Sequence, residues 1–308
     1  MEAPVLLITF NRPDNTRKVF KKIKQAKIKT LYFFNDAPRE GNEEDIMART
    51  AIKRFVDEVD WECDLHINFQ EKNLGCGWGP STAISWAFEK EKQLIILEDD
   101  CVPSLPFFDY CNHCLEKYKN DTRIWLISGR SHQQGSKFFK EQDYIFTHYG
   151  HSWGWATWKR CWGHFDMDMK DFPQFLKSGG AMNVLSSKEE GKLYNNKYTK
   201  LYDNKKLHTH AWDFQFGFAI LKNAGLCIVP AKNLIENIGH IGTHSVGKTK
   251  HHELKAFDNF KVEKEPLFVL ANKEYEQLHF NTHIKKIMGT ASLYKRIINK
   301  ILKIIGLR

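Results

Sequence analysis

A mostly parallel α/β sheet covered by helices on both faces is the fold class that this sequence predicts. Two observations carry it. Apolar runs such as Val5-Leu6-Leu7-Ile8-Thr9-Phe10 and Leu94-Ile95-Ile96-Leu97 are continuous rather than alternating, as expected of strands buried on both faces. Segments with helical spacing separate them, the alternation that produces a parallel sheet.

The elements follow in order. After the first strand, Asn11-Arg12-Pro13-Asp14 breaks the run, and Asn15 to Lys24 carries Val19, Phe20 and Ile23 at helical spacing. A second strand, Thr30 to Phe34, ends at Asn35-Asp36-Ala37-Pro38, and a helix is expected from Glu43 to Val59. A third strand, Asp64 to Phe69, leads to the glycine-rich loop Asn73-Leu74-Gly75 and a helix from Ser81 to Lys90. The strand Leu94 to Leu97 then runs directly into Glu98-Asp99-Asp100. Beyond a strand at Ile124 to Ser128 the pattern turns irregular, with aromatic and small residues packed together in His151 to Trp158. Lys188 to Lys206 reads as a polar helix, Trp212 to Asn223 as a helix closed by Gly225, and Leu226 to Pro230 as a strand. Gly239 to Lys250, rich in glycine and histidine, reads as a loop.

In open sheets of this kind, ligands bind outside the carboxyl ends of the strands. Asn11-Arg12, Asp36, Asn73 to Gly75 and Glu98 to Asp100 each follow such an end, so one edge is expected to gather them. Three adjacent carboxylates there repel one another, and a cation or strong donors must compensate them. A hard divalent ion, Mn²⁺ or Mg²⁺, takes oxygen ligands of this type together with phosphates.

With 42% hydrophobic and 27% charged residues in 308, the chain has the composition of a folded protein with a full core. The net charge of +9 is compatible with nucleic acid, an anionic surface or phosphorylated ligands. No basic-aromatic recognition motif accompanies it, which argues against nucleic acid. Seven scattered cysteines, with the lone CxxC of Cys111 and Cys114 inside a helical run, read as reduced buried thiols of a cytoplasmic protein. The chain opens almost directly on a strand, so no signal peptide is expected, and no apolar run reaches membrane-spanning length. Ile284 to Arg308 carries apolar residues at helical spacing opposite lysines and arginines. It is expected to be an amphipathic helix lying on a membrane surface, peripheral to its inner face, or packed on protein.

These motifs together resemble the GT-A glycosyltransferases, most closely the family-2-like bacterial enzymes. A more distant similarity is to animal N-acetylglucosaminyltransferases, whose metal motif is also Glu-Asp-Asp. The resemblance runs over about residues 3–250. It rests on Thr9 to Pro13, Asn73-Leu74-Gly75, Leu97 to Asp100, the segment Trp153-Gly154-Trp155-Ala156-Thr157-Trp158, Trp212-Asp213 and Gly242-Thr243-His244. It implies a GT-A catalytic domain over 1–275, divided into a nucleotide-binding half (1–125) and an acceptor-side half (126–275), with a tail helix over 280–308.

The resemblance also implies roles. Asp100 coordinates the metal and His244 approaches it or the diphosphate, while Glu98 and Asp99 touch the donor sugar and ribose. Phe10, Asn11, Arg12, Asp36, Asn73 and Gly75 line the nucleotide site, and Trp153 and Trp155 are the aromatic candidates for the cleft. Asp213 is the candidate base; its position in a helix's first turn is one that acids favour in any case. The implied reaction is an inverting transfer from a nucleotide sugar, UDP by family habit, to a glycan or lipid-linked glycan. The alternatives are a sugar-1-phosphate nucleotidyltransferase and an inactive carbohydrate- or nucleotide-binding protein. His240, His244, His251 and His252 lack cysteine or carboxylate partners at zinc-site spacing, and only His244 is expected to act.

Overall fold

The computed structural model describes residues 2–204, 212–239, 241–242, 245–246 and 254–286. Its centre is an eight-stranded sheet. The first half of the chain lays down β1 (Val5–Thr9), α1 (Pro13–Ala26), β2 (Thr30–Asn35), α2 (Glu43–Lys53), β3 (Asp64–Phe69), α3 (Gly75–Lys90), β4 (Gln93–Glu98), β5 (Cys101–Pro103) and α4 (Leu105–Lys117). Then come β6 (Ile124–Ser128), β7 (Tyr144–Thr147), β8 (Trp155–Trp158), α5 (Lys159–Trp162), α6 (Phe172–Lys177) and α7 (Lys188–Asp203). After α8 (Asp213–Lys222) follow β9 (Leu226–Pro230), β10 (Ile235–Asn237) and α9 (Lys273–His279).

The strand order is β3-β2-β1-β4-β8-β6-β9-β7. β1 pairs in parallel with both β2 and β4, and β6 with β9, while β8 and β7 run antiparallel to their neighbours. Every residue of β1, β6 and β9 is buried, so both faces of the sheet are covered. β3 sits at one edge and is only half-buried. The expected α/β class, a mostly parallel sheet flanked by helices, is therefore the observed one.

Local sequence explains the element boundaries. Pro13 opens α1, whose buried residues Thr16, Val19, Phe20 and Ile23 lie on one face, and Lys27 closes it at φ 49°. Asn42 caps α2 by accepting from the Asp45 amide. α3 begins earlier than the glycines and Pro80 predict, at Gly75 rather than Ser81. The Asp36 carboxylate accepts from the amides of Leu74 and Gly75, so a capping acid from the β2 loop starts the helix that local propensity discourages.

The tryptophan-rich segment is another departure. Trp155–Trp158 form β8, wedged between β4 and β6 in the middle of the sheet. Gly154 makes this possible, at φ 63° and with Ile235 so close that a Cβ would lie 2.3 Å from its Cδ1. One apolar core runs without a break from Ala3 to Ile235, across the expected division at residue 125. A smaller cluster of Met169, Phe172, Tyr198, Leu201, Phe218 and Leu221 joins α6, α7 and α8. All seven cysteines are free, and Cys111 and Cys114 are buried in α4 as core thiols. Among the described residues no helix is long and apolar enough to cross a membrane. The amphipathic tail expected from residue 284 lies outside the described residues except for its first three positions.

Gly154→Ala should destabilise the protein by about 2–4 kcal/mol, combining a strained positive φ with overpacking against Ile235. Urea unfolding measures it; an unchanged midpoint would mean that β8 does not need this close approach.

Candidate active site

The sheet order reverses between β1 and β4. From β1 the chain proceeds outward through β2 and β3, then returns to place β4 on the other side of β1. The carboxyl ends of β1 and β4 therefore flank a topological switch point, where open α/β sheets form their ligand crevices. Arg12 follows β1, and Glu98-Asp99-Asp100 close β4.

Arg12 joins the two strand ends. Its guanidinium meets Asp99 at 2.5 Å and Asp100 at 2.7 Å, and the Phe10 amide donates to Asp99 at 3.3 Å. Burial lowers the Arg12 pKa, but Asp99 and Asp100 outweigh it and hold the guanidinium above its ordinary value. One cation does not neutralise three acids. Burial, then Asp100 and Asp99, push Glu98 up to about 8. Burial also raises Asp99 to about 6, against the opposing pull of Arg12.

A two-stranded ribbon supports Asp100 from behind. β5 pairs with β10, which brings Asn237 Nδ2 to 3.3 Å from Asp100 Oδ1 and lets the Ile238 amide donate to the Asp100 carbonyl. Gly239 packs so tightly that a Cβ there would lie 2.1 Å from Asp100 Oδ2 and 3.0 Å from Arg12. Asn237 and Gly239 escaped the sequence reading, because neither belongs to a motif and the ribbon is a long-range pairing.

The other expected residues surround this centre. Asn11 Nδ2 donates to Asp45 at 2.7 Å, and Arg39 grips the same carboxylate through Nε at 2.6 Å and Nη2 at 2.9 Å. The hydrogen bond from Arg39 draws the Asp45 pKa down to about 2, so this carboxylate stays ionised and fixes Asn11. Arg39 also lies over the Phe10 ring, 5.8 Å from its centroid. Asp36 is buried and saturated by the amides of Ala37, Leu74 and Gly75 and by Asn73 Nδ2. Asp36, Asn73 and Gly75 thus form one unit that shapes the loop at the start of α3.

Asp213 opens α8 and lines a cavity of about 330 Å³ with Arg130, Trp153, Lys197, Tyr198 and Phe214. It is exposed at the mouth of that cavity. Desolvation by the surrounding protein raises its pKa, and Lys197 opposes the shift. Asp213 is close enough to Glu98 to push up that residue's pKa, and both act on Cys76. The expected base candidate and the acid run therefore share one electrostatic neighbourhood. Burial lowers Lys197 to about 8, and its ammonium sits 3.4 Å from the Phe214 ring centroid.

The two aromatic candidates separate. Trp153 borders the cavity, with the Arg130 guanidinium 4.4 Å above its ring. Trp155 exposes nothing: it stacks on Trp212 at 5.5 Å and packs on Phe216, so it forms the cavity floor from within the core. Trp155 belongs to a central strand buried throughout and Trp153 precedes it, a difference invisible when the segment read as irregular. His244 lies outside the described residues.

No protein family matches the sequence, and no curated protein does. Solved structures show partial similarity. The glycosyltransferase GlyE of Streptococcus pneumoniae is 11% identical over 74% of this chain and 45% of its own, with a TM-score of 0.34. This chain thus spans less than half of its length. HddC from Yersinia pseudotuberculosis is 10% identical over 52% of this chain and 78% of its own, with a TM-score of 0.30. A putative glucose-1-phosphate thymidylyltransferase from Bacillus anthracis is 9% identical over 53% and 74%, with a TM-score of 0.32.

The crowded acids should mark the stability of the metal-free protein. Glu98 ionises near 4.5 when unfolded and near 8 when folded, so the folded state holds its proton more tightly. Its contribution is complete below about pH 4.5 and is lost as the pH rises through about 8. Glu98→Gln should therefore raise the melting temperature at pH 8 by on the order of a few degrees, and leave it near wild type at pH 4. A variant equally stable or weaker at pH 8 would refute the crowding.

Proposed function

We propose that this chain transfers a sugar from a nucleotide-sugar donor to a glycan or lipid-linked glycan acceptor, with inversion at the sugar carbon. One observation carries the reading. Three carboxylates, two of them bridged by Arg12, stand at the switch point of the sheet, and Asp213, at the mouth of the adjoining cavity, lies close enough to act on Glu98.

The donor set fits a hard divalent ion. Every candidate ligand atom in the acid run is a carboxylate oxygen, and burial, then the neighbouring acids Asp100 and Asp99, raise the Glu98 pKa despite Arg12. Asp100, supported by Asn237 and Gly239, would hold Mn²⁺ or Mg²⁺ with Asp99 and Glu98 beside it. When bound, the ion supplies charge stabilisation to a departing diphosphate. Arg12 is a fixed cation at the same place and can meet phosphate oxygens once it yields the acids. Asn11, oriented by Asp45, and the Asp36-ordered loop would seat the nucleotide. Trp153 offers an aromatic face toward the cavity, suited to a sugar ring. Asp213 would take the proton from the attacking hydroxyl, and its raised pKa brings its basicity nearer to that task.

Sugar-1-phosphate nucleotidyl transfer draws on the same kind of sheet edge. The loop after β1 favours glycosyl transfer, because Phe10-Asn11-Arg12 contains no glycine and leads straight into Pro13 of α1. It lacks the amide-rich cradle that a triphosphate needs. Supplying nucleoside triphosphate with sugar 1-phosphate in one assay, and nucleotide sugar with acceptor in another, separates the two. Pyrophosphate release in the first and none of the nucleoside diphosphate in the second would overturn the proposal. We further propose that the basic tail beyond residue 284 holds the enzyme at an anionic membrane surface, where a lipid-linked acceptor would lie.

Mn²⁺ should tighten binding of the nucleotide, measured by calorimetry, and Asp100→Ala should remove most of that gain while the fold persists. Metal-independent binding that the substitution leaves unchanged would sink the metal assignment.

Asp213→Asn should lower transfer by about 10²–10⁴-fold with near-normal nucleotide affinity. Because its pKa is raised, wild-type turnover should rise with pH along an acid limb lying above the ordinary carboxylate range. That limb should vanish in the variant. Near-wild-type transfer would refute the base assignment.

A further inference from the structure

We propose that His132, His151 and His283 form a binding site for a borderline divalent metal ion of the Zn²⁺ type, opening onto the cavity beside Asp213. The three side chains come from separate places in the chain: the loop after β6, the approach to β8, and the helical turn Phe280–Ile284 that continues α9. Their ligand atoms all lie within 4.8 Å of one another. The rings crowd closely, with centroids 3.8 Å apart for His132 and His283, and 4.5 Å for His132 and His151.

The chemistry of the cluster selects the ion. Three imidazoles suit zinc and its neighbours in the first transition row, whereas Mg²⁺ and Mn²⁺ prefer oxygen. A tetrahedral zinc site places its nitrogen ligands about 3.4 Å apart, so small side-chain adjustments complete the geometry. No aspartate or glutamate joins the cluster among the described residues. The nearby Glu276 is committed to His148, at 2.8 Å, and to Ser186.

A purely structural role explains the cluster poorly. Packing alone is served by phenylalanine, whereas these half-buried rings bring their ligand atoms together. His279, fully buried against these rings, has no hydrogen-bond partner at either ring nitrogen. Arg130 Nε donates to His132 Nε2 at 3.2 Å, so the ion and the guanidinium compete for that imidazole. All three ligands line the cavity that Asp213 borders, and none of Glu98, Asp99 and Asp100 does. Three protein ligands with an open side are the arrangement of a zinc site that also accepts an exogenous ligand.

The test is titration of the chelator-stripped full chain with Zn²⁺ against a chromophoric chelator, and with Co²⁺ followed by visible absorption. Saturable binding of Zn²⁺, and Co²⁺ bands of tetrahedral intensity, are expected. His151→Ala and His283→Ala should each weaken Zn²⁺ by more than about 100-fold, beyond the usual loss from an outer-shell partner. Asp100→Ala should change it less than about twofold, because the acid run is a separate site. Melting curves without metal establish that the variants fold, and if one does not, the other decides. Absence of saturable binding tighter than about 10 µM, or binding that both histidine variants leave unchanged, would overturn the proposal. So would Co²⁺ spectra of octahedral type in the intact chain.

Discussion

Three successive carboxylates at the end of a buried strand repel one another and resist desolvation, and Arg12 is the charge that keeps them there. Its guanidinium reaches Asp99 and Asp100 only because β1 and β4 are direct parallel neighbours, registered from Val5 opposite Ile95 to Ile8 opposite Glu98. The strand adjacency, the switch point and the ion pair are one construction. Asn237 and Gly239 press on the same carboxylate from the β5–β10 ribbon, which leaves Asp100 little freedom to turn away. Burial, then Asp100 and Asp99, still hold the Glu98 pKa above its ordinary value despite Arg12.

Around this centre several polar residues hold the frame, Asp36 among them. Its carboxylate starts a helix whose first residues, Gly75, Cys76, Gly77, Trp78 and Gly79, would otherwise be poor helix formers, and Gly79 leaves room for it. Asp45 does similar work for Asn11. A fully engaged carboxylate is a rigid fitting, and rigidity at a crevice lowers the cost of ordering any ligand it binds.

The cavity beyond Asp213 has a different chemical character. Oxygen donors gather at the switch point, nitrogen donors at the far wall, and apolar or aromatic groups between them. Hard and borderline cations would sort themselves between two such clusters by ligand chemistry alone. Lys197, held near neutrality by burial, adds a titratable cation next to Asp213.

The sequence by itself determined the sheet class and the edge on which the polar loops meet. Continuous apolar runs and helical spacing are local signals, and a parallel sheet obliges every strand end to face one way. It also determined the acid run, whose cost at a strand end is legible without neighbours. Tertiary structure alone decided the rest. The early start of α3 depends on an acid from another loop, and the burial of Trp155 depends on β8 being inserted between β4 and β6. Asn237, Gly239 and the histidines at 132, 151 and 283 come together through pairings across long stretches of chain. Sequence spacing points to histidine sites only when the ligands share a helix or a loop. These ligands come from two loops and a helical turn, so their meeting is a consequence of packing.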